Sequence, residues 1–236
     1  MKEFLVVDLG LRSYAEALAF QRETAAARID KRLDRDVLVL VEHPPVITLG
    51  RSTKAGNLLA SSEQLRDRGV ELFEVERGGD VTFHGPGQLV GYPIVDLTNH
   101  KQDLHWFLRQ VEEVVIRAVA PFGIVAARNP GKTGVWTRDR KLASIGVHAR
   151  QWVTWHGFAL NVTTDLSYFD LMVPCGIADV TMTSVEREIL DGASGPCLAP
   201  SPTLADEVRA ETIRAFGQVF ARAPRSVASL TVAESG

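Results

Sequence analysis

Two side chains and one glycine-rich loop in this chain have the types and spacing to do covalent chemistry. Cys175 stands in VPCGIADVTM, between Pro174, which fixes the approaching backbone, and Gly176, which leaves room and can expose an amide. A thiol in a tight turn is placed for covalent catalysis when a neighbour makes its thiolate available. The plainer alternative is a buried cysteine acting as a small hydrophobe. Lys141 begins KLASIG, after a turn, with apolar Leu142, Ala143 and Ile145 beside it. A lysine drawn into a poorly solvated site loses preference for its charged form, so it can exchange protons with a thiol near neutral pH. As an ammonium it would stabilise a thiolate; as an ordinary lysine it would be a solvated surface group.

The loop RGGDVTFHGPGQLVGYP, residues 77–93, packs five glycines and two prolines around Arg77, Asp80 and His84. Glycines at that density let backbone amides approach a ligand. The loop lies between two strand-like runs, ELFEVER (71–77) and QLVGYPIVDL (88–97), so it reads as a turn at a sheet edge. It is either a cradle for an elongated substrate or a glycine-rich hairpin with a topological role only. His84 suits hydrogen bonding within such a site, and His43, just before Pro44-Pro45, is a weaker candidate for the same pocket. His148 and His156 flank strands and are expected to satisfy local hydrogen bonds. No CxxC or HExxH spacing supports a metal site. Cys197 lies in a Gly/Pro loop, and no CxxC supports pairing it with Cys175.

These residues need a scaffold. FLVVDLG reads as a first strand, and Ser13 as the cap of a helix to about Ile29 with Tyr14, Ala17, Leu18, Ala25 and Ile29 on one face. VLVLVEH (37–43) is a buried strand stopped at Pro44-Pro45, which VITLGR resumes. SSEQLRDRGV (61–70) is a short helix ended by Gly69. Asp103 caps an amphipathic helix to about Pro121 whose inner face carries Phe107, Val111, Val114, Val115 and Ala118. Residues 124–162 read as strand and turn, with turns at Asn129-Pro130-Gly131 and Thr137–Arg140. A last helix spans about Leu204–Ala221, and residues 222–236 read as a flexible tail. Strands and helices do not alternate regularly. That favours a single α+β domain, a mixed sheet flanked by helices, over residues 1–221.

With 236 residues, 45% hydrophobic and 23% charged, the chain can bury one sizeable core. It has no apolar run long enough for a membrane span and no signal-peptide pattern. Two cysteines do not make a disulfide framework, and a cytoplasmic, reducing compartment is the simplest expectation. A net charge of −3 gives no reason to expect nucleic acid. No heptad or apolar surface stripe appears, so a monomer is expected. Between Ala127 and Arg150, however, stand Arg128, Lys132, Arg138, Arg140, Lys141 and Arg150 against the single acid Asp139. Such a stretch is either a solvated loop or a surface that steers an acidic partner.

RGGDVTFHGPGQLVGYP, KLASIGVHAR (141–150), WHGFALNV (155–162) and VPCGIADVTMTSV (173–185) together resemble the octanoyltransferases of lipoate biosynthesis, in order and spacing, over Val41–Val185. The resemblance implies the biotin/lipoate protein ligase-like fold and a Cys/Lys dyad of Cys175, the acyl-thioester residue, and Lys141. It implies an acyl site lined by Arg77, Gly78, Gly79, Asp80, Val81, Thr82, Phe83 and His84, by Ser144, Ile145 and Gly146, and by Gly157, Phe158 and Ala159. The small residues would leave a slot for an alkyl chain, with Phe83, Ile145 and Phe158 as apolar walls. The implied donor is octanoyl-acyl carrier protein, an acidic partner that the basic stretch would suit. The implied acceptors are the lipoyl domains of 2-oxoacid dehydrogenase acyltransferase subunits and the glycine cleavage H protein. No cofactor is implied. The ATP-dependent lipoate and biotin ligases share the fold but typically carry RRxSGGG and KxxGxA elements, where this chain has RGGDVTFHGPG, KLASIG and PCGI. An acyl-carrier-binding module without catalysis would need neither Lys141 nor Cys175. Backbone amides near Leu142 or Gly176 are the expected donors to a reaction oxyanion.

Overall fold

Short β-branched runs and capped helices assemble into a large mixed sheet covered on both faces, with a small sheet leaning on one of them. The structure, a computed structural model, describes residues 2–176, 180–192 and 201–230, with the backbone alone at Cys175. In chain order the elements are β1 (Glu3–Leu11), α1 (Tyr14–Ile29), β2 (Asp36–Glu42), β3 (Val46–Leu49), α2 (Ser62–Asp67), β4 (Glu71–Glu74), β5 (Thr82–His84) and β6 (Gln88–Ile94). They continue with α3 (Leu104–Val119), β7 (Ala127–Asn129), β8 (Lys132–Thr137), β9 (Arg140–Arg150), β10 (Val153–Asn161), α4 (Val185–Gly192), α5 (Leu204–Phe220) and β11 (Ala223–Ser226). The large sheet runs β11-β1-β2-β6-β10-β9-β8-β7 and the small one β4-β3-β5. β1 is parallel to β11 and β2, and the other pairs of the large sheet are antiparallel.

Alternation along each strand sorts side chains between the two faces. In β2, Leu38 and Leu40 join Phe107, Val111, Phe216 and Phe220 under α3 and α5. Val37, Val39 and Val41 join Ala17 and Ala25 under α1 on the opposite face. α1 starts where the sequence places it: the Ser13 side chain accepts from Glu16 N and Glu16 reaches back, a full capping box. Asp103 likewise caps α3 by accepting from Trp106 N at 3.0 Å.

Four readings change. VITL does not resume the strand before Pro44-Pro45. As β3 it forms the middle of the small sheet, because two prolines in succession take the chain out of the first ladder. ELFE and QLVGYPI are not partners across a glycine turn; β4 lies in the small sheet and β6 near the middle of the large one, with β5 between them in sequence. Residues 185–192, unassigned from sequence, form α4. Ala223–Ser226, read as tail, forms β11 and pairs with Glu3–Val6.

A buried ion cluster ties the C-terminal crossover to the sheet edge. Asp36 accepts from Arg28 at 2.9 Å, from His100 at 2.9 Å and from the Asp96 amide at 3.1 Å, and Arg222 stands 3.3 Å away. Burial alone would raise the Asp36 carboxyl pKa. The His100 and Asp96 hydrogen bonds, with the Arg28 charge, outweigh it and hold the pKa below the usual carboxylate range.

Candidate active site

The face of the large sheet that carries Tyr92 and Ala159 does not close fully against the small sheet. A cavity of about 300 Å³ remains there. Its walls come from α1 (Tyr14), the glycine loop (Arg77, Gly79, Asp80), β5 (Thr82, His84), β6 (Tyr92), the β7–β8 turn with the start of β8 (Gly131–Thr133), β9 (Ser144–Gly146) and β10 (His156–Ala159). The floor is possible because Gly146 and Gly157 face each other across β9 and β10, beside the Ser144–Ala159 pair. A Cβ on Gly146 would press on Gly78 O and lie 3.3 Å from Arg77 Cδ.

The glycine loop is held as a rung over the end of β9. Gly78 N donates to Val147 O at 2.9 Å, and Arg51 N and Ser52 N donate to Arg77 O and Gly79 O, each at 3.0 Å. Arg77 is buried, and its guanidinium donates to Thr48 O at 2.7 Å and Thr48 Oγ1 at 2.9 Å. Its charge therefore braces the loop while its edge lines the cavity.

Lys141 is buried at 1% exposure, unusual for a lysine. Its backbone is clamped: Lys141 N donates to Thr181 O at 2.8 Å and Thr183 N donates to Lys141 O at 2.9 Å. Its side chain runs along Gly134, where a Cβ would lie 2.9 Å from Lys141 Cε, and its Nζ stands 5.6 Å from the Trp136 ring centre. The cysteine turn, Pro174–Gly176, packs against Asn57 and Asp80. Val173 N donates to Asn57 O at 2.7 Å, Asn57 Nδ2 donates to Asp80 Oδ2 at 2.5 Å, and Val81 N donates to Asp80 Oδ1 at 2.7 Å. Gly176 adopts a φ of +64° with its Cα against the Asp80 carboxylate. Asp80, which lines the cavity, thus abuts the residue after Cys175. The Cys175 thiol and Cys197 lie outside the described residues. The Gly176 amide, one of the expected oxyanion donors, already donates to Val173 O at 3.0 Å.

At the far side of the cavity is a set of neutral polar groups. His43 Nδ1 faces Arg12 O at 2.8 Å and His43 Nε2 faces Tyr92 Oη at 2.8 Å. A carbonyl can only accept, so Nδ1 carries the proton and Tyr92 donates to Nε2. Burial lowers the His43 pKa to about 4 and the His84 pKa to about 3, so both rings are neutral near pH 7. Burial also pushes the Tyr14 and Tyr92 hydroxyls upward.

Matches to known proteins bear on this geometry. The family model of the lipoyl protein ligase A/B catalytic domain matches residues 13–196. The chain belongs to the lipoyl protein ligase A/B catalytic-domain family. An octanoyltransferase of Acidobacterium capsulatum is 47% identical over 228 residues, covering 91% of this chain and 89% of the relative. One of Nostoc sp. is 45% identical over 216 residues, covering 92% and 91%. Among solved structures, lipoate-protein ligase A bound with ATP superposes with a TM-score of 0.75 at 18% identity, over 98% of this chain and 91% of that one. A putative lipoate protein ligase from T. acidophilum gives 0.74 at 17%. At such identities the superpositions show the ligase fold and leave the chemistry to the side chains.

Within that fold most of the residues expected to line an acyl site do meet. Arg77, Gly79, Asp80, Thr82, His84, Ser144, Ile145, Gly146, Gly157, Phe158 and Ala159 all border the cavity. Of the expected apolar walls, Ile145 and Phe158 border the cavity and Phe83 does not. Phe83 and Val81 face away into the small-sheet core, where Phe83 stacks on Tyr168 at 4.6 Å. The Phe158 ring covers Gly91 within the α3–α5 core, and Ile145 packs against the same core. Gly78 braces β9. His156, expected to flank a strand, is inside β10 and borders the cavity, with a φ of +56°. That turn sets it on the same side as Trp155: the Trp155 indole donates to Glu76 Oε1 at 2.9 Å, and His156 Nε2 stands 3.8 Å from Glu76 Oε2. His148 likewise lies inside β9, its ring 4.3 Å from that of Trp155.

The basic stretch is largely neutralised within the fold. Arg128 pairs with Glu112 and Glu113, Arg140 with Glu188 and Asp191, and Lys141 is buried. Lys132, whose Nζ lies 5.2 Å from the Trp136 ring centre, remains at the cavity wall. The sequence reading places Tyr14 only on a helix face and Lys132 only in the basic stretch, and it does not single out Tyr92, Thr133 or Asn57. A tyrosine directly after a capping serine, and one following the Gly91 break in a strand, were the available signals.

Proposed function

We propose that this protein is an octanoyltransferase of lipoate biosynthesis: it takes an octanoyl group from octanoyl-acyl carrier protein and places it on the lysine of lipoyl domains. The observation that carries this reading is one cavity bordered by Ser144–Gly146 of β9, the strand that carries the buried Lys141, and by Asp80, against which the cysteine turn packs through Gly176. The sequence relatives named octanoyltransferases support it. In the first half-reaction the Cys175 thiolate attacks the donor thioester, an S–C bond forms, and the carrier thiol leaves with a proton. In the second, the acceptor amine attacks the enzyme thioester, the amide forms, and Cys175 regains its thiol. Lys141 takes the proton from Cys175 in the first half and from the incoming ammonium in the second. Asp80 and Asn57 position the turn. Eight carbons laid between the glycine loop and Gly146–Gly157 gain about 0.8 kcal/mol per buried CH₂, enough to hold the chain through both halves.

The acceptors that fit this chemistry are the lipoyl domains of 2-oxoacid dehydrogenase acyltransferase subunits and the glycine cleavage H protein, met by a cytoplasmic monomer. No helix of the described residues is long and apolar enough to cross a membrane. A reconstituted assay with octanoyl carrier protein and a lipoyl domain tests the reading. Transfer without ATP supports it. Transfer only from free octanoate with ATP overturns it in favour of an acyl-adenylate ligase.

A further inference from the structure

The cavity runs across the strands. Lys141 lies on β9 and Tyr92 on β6, two strands away in the order β6-β10-β9. In register Tyr92 stands level with Gly157 and Gly146, five residues along β9 from Lys141, so the two backbones lie about 10 Å apart across the strands and about 16 Å along them. An acyl chain laid from the Lys141 end of β9 past Ser144–Gly146 therefore points toward Tyr14, His84 and Tyr92, which border the same cavity.

That end is not an apolar stop. The side chains behind it form a directed chain of hydrogen bonds. Asn161 Nδ2 donates to Thr183 O at 3.0 Å, which orients the amide and leaves Asn161 Oδ1 to accept from Gln88 Nε2 at 2.9 Å. Gln88 Nε2 also donates to Phe83 O at 3.2 Å, so Gln88 Oε1 can only accept, and it meets His84 Nδ1 at 2.9 Å. His84 Nδ1 therefore carries the proton and Nε2 carries a lone pair. His84 is 6% exposed and borders the cavity. Its Nε2 makes no hydrogen bond among the described residues and, unlike the ring nitrogens of His156, is not sealed from the cavity. Beside it Tyr14 lies parallel, ring centres 6.0 Å apart, and the Tyr14 hydroxyl makes no hydrogen bond among the described residues. A fixed acceptor and a phenol with both capacities make the complement of a hydroxyl group.

We propose that His84 Nε2, with Tyr14, forms a hydrogen-bonding subsite at the far end of the acyl slot, which admits medium-chain acyl thioesters bearing a terminal hydroxyl. This rests on the transferase reading. The bonds made and broken are unchanged: the acyl carbon exchanges the carrier sulfur for Cys175 and then for the lysine nitrogen, and the terminal hydroxyl keeps its proton, donating it as a hydrogen bond to His84. When the chain ends in a methyl group, an ordered water fills the same role.

The test compares three carrier-bound donors: octanoyl, ω-hydroxyoctanoyl and nonanoyl, the last two differing only by OH against CH₃. The proposal expects kcat/KM for ω-hydroxyoctanoyl to exceed that for nonanoyl by roughly ten-fold, where an apolar end would reverse the order. It expects His84→Phe to invert the ratio between those two. A wild-type preference for nonanoyl, rejection of both nine-atom chains, or a ratio unchanged in His84→Phe each overturns the subsite while leaving octanoyl transfer intact. If the variant does not fold, the wild-type ratio decides. Absence of octanoyl transfer itself removes the underlying reading and the subsite with it.

Discussion

Replacing Gly176 with alanine would drive a Cβ into Asp80 Oδ2 on a backbone already at a φ of +64°. The turn would have to leave the Asn57–Asp80 platform, and the nucleophile with it. We expect Gly176→Ala to lower kcat/KM by ten-fold or more while Tm moves by only a few degrees, since the turn is local; an unchanged kcat/KM would detach the platform from catalysis. Cys175→Ser should abolish transfer without loss of the folded state by circular dichroism, and robust turnover would defeat the nucleophile assignment. Lys141→Ala should slow acylation and deacylation alike in single-turnover kinetics, and unchanged rates across neutral pH would remove Lys141 from the chemistry. At this scale residue type alone singles out candidates, a cysteine between proline and glycine and a lysine among aliphatics, and the fold buries that lysine. The sequence assigns Tyr14 a helix face and His156 a strand flank, and places neither of them, nor Tyr92, at the cavity. Their place at the cavity depends on which strand neighbours which, and His156 also breaks the alternation of β10 through its left-handed φ.

At the scale of elements, α1 shows what local signals can fix. Its start rests on Ser13 and Glu16, a reciprocal cap, and its first residue, Tyr14, forms part of the cavity wall. Ser13→Ala should cost about 1 kcal/mol, lowering Tm by a few degrees. Because the cap orients Tyr14, KM for the acyl donor should rise more than kcat falls. A thermal melt unchanged within error would show that tertiary packing alone holds the helix end. Caps, inner faces and turns were readable because they depend on neighbours in sequence. The division of strands between two sheets was not. VITL and ELFE carry the apolar character of any strand, and their separate sheet arises from Pro44-Pro45 and from pairing with β5, far along the chain. β11 was missed for the same reason: APRS has little strand character, and its ladder is supplied by β1.

For the whole molecule, burial of neutral histidines sets the response to acid. His43 and His84 titrate near 6.5 when unfolded but only at about 4 and about 3 when folded. Between those values the unfolded state binds more protons, so stability rises with pH there. It is complete above about 6.5 and declines as pH falls toward 4. His148 and His156, also lowered by burial, act in the same direction. Asp36 and Asp96 add a second loss below the unfolded carboxylate value of 3.8. Chemical denaturation from about pH 7 to 5 should show a decline of several kcal/mol before most carboxylates titrate; a flat profile over that range would contradict the neutral, buried histidines. The same burial gives the His43–Tyr92 and His84–Gln88 pairs their fixed hydrogen-bond directions, so acid stability and the polar lining of the cavity share one set of side chains.

Covalent capture is the central claim, and intact-protein mass spectrometry after mixing the enzyme with octanoyl carrier protein, without ATP and without acceptor, tests it most directly. The account predicts a hydroxylamine-labile octanoyl adduct that maps to Cys175. A chain that stays unmodified, and that forms octanoyl-adenylate once ATP and octanoate are supplied, would contradict it.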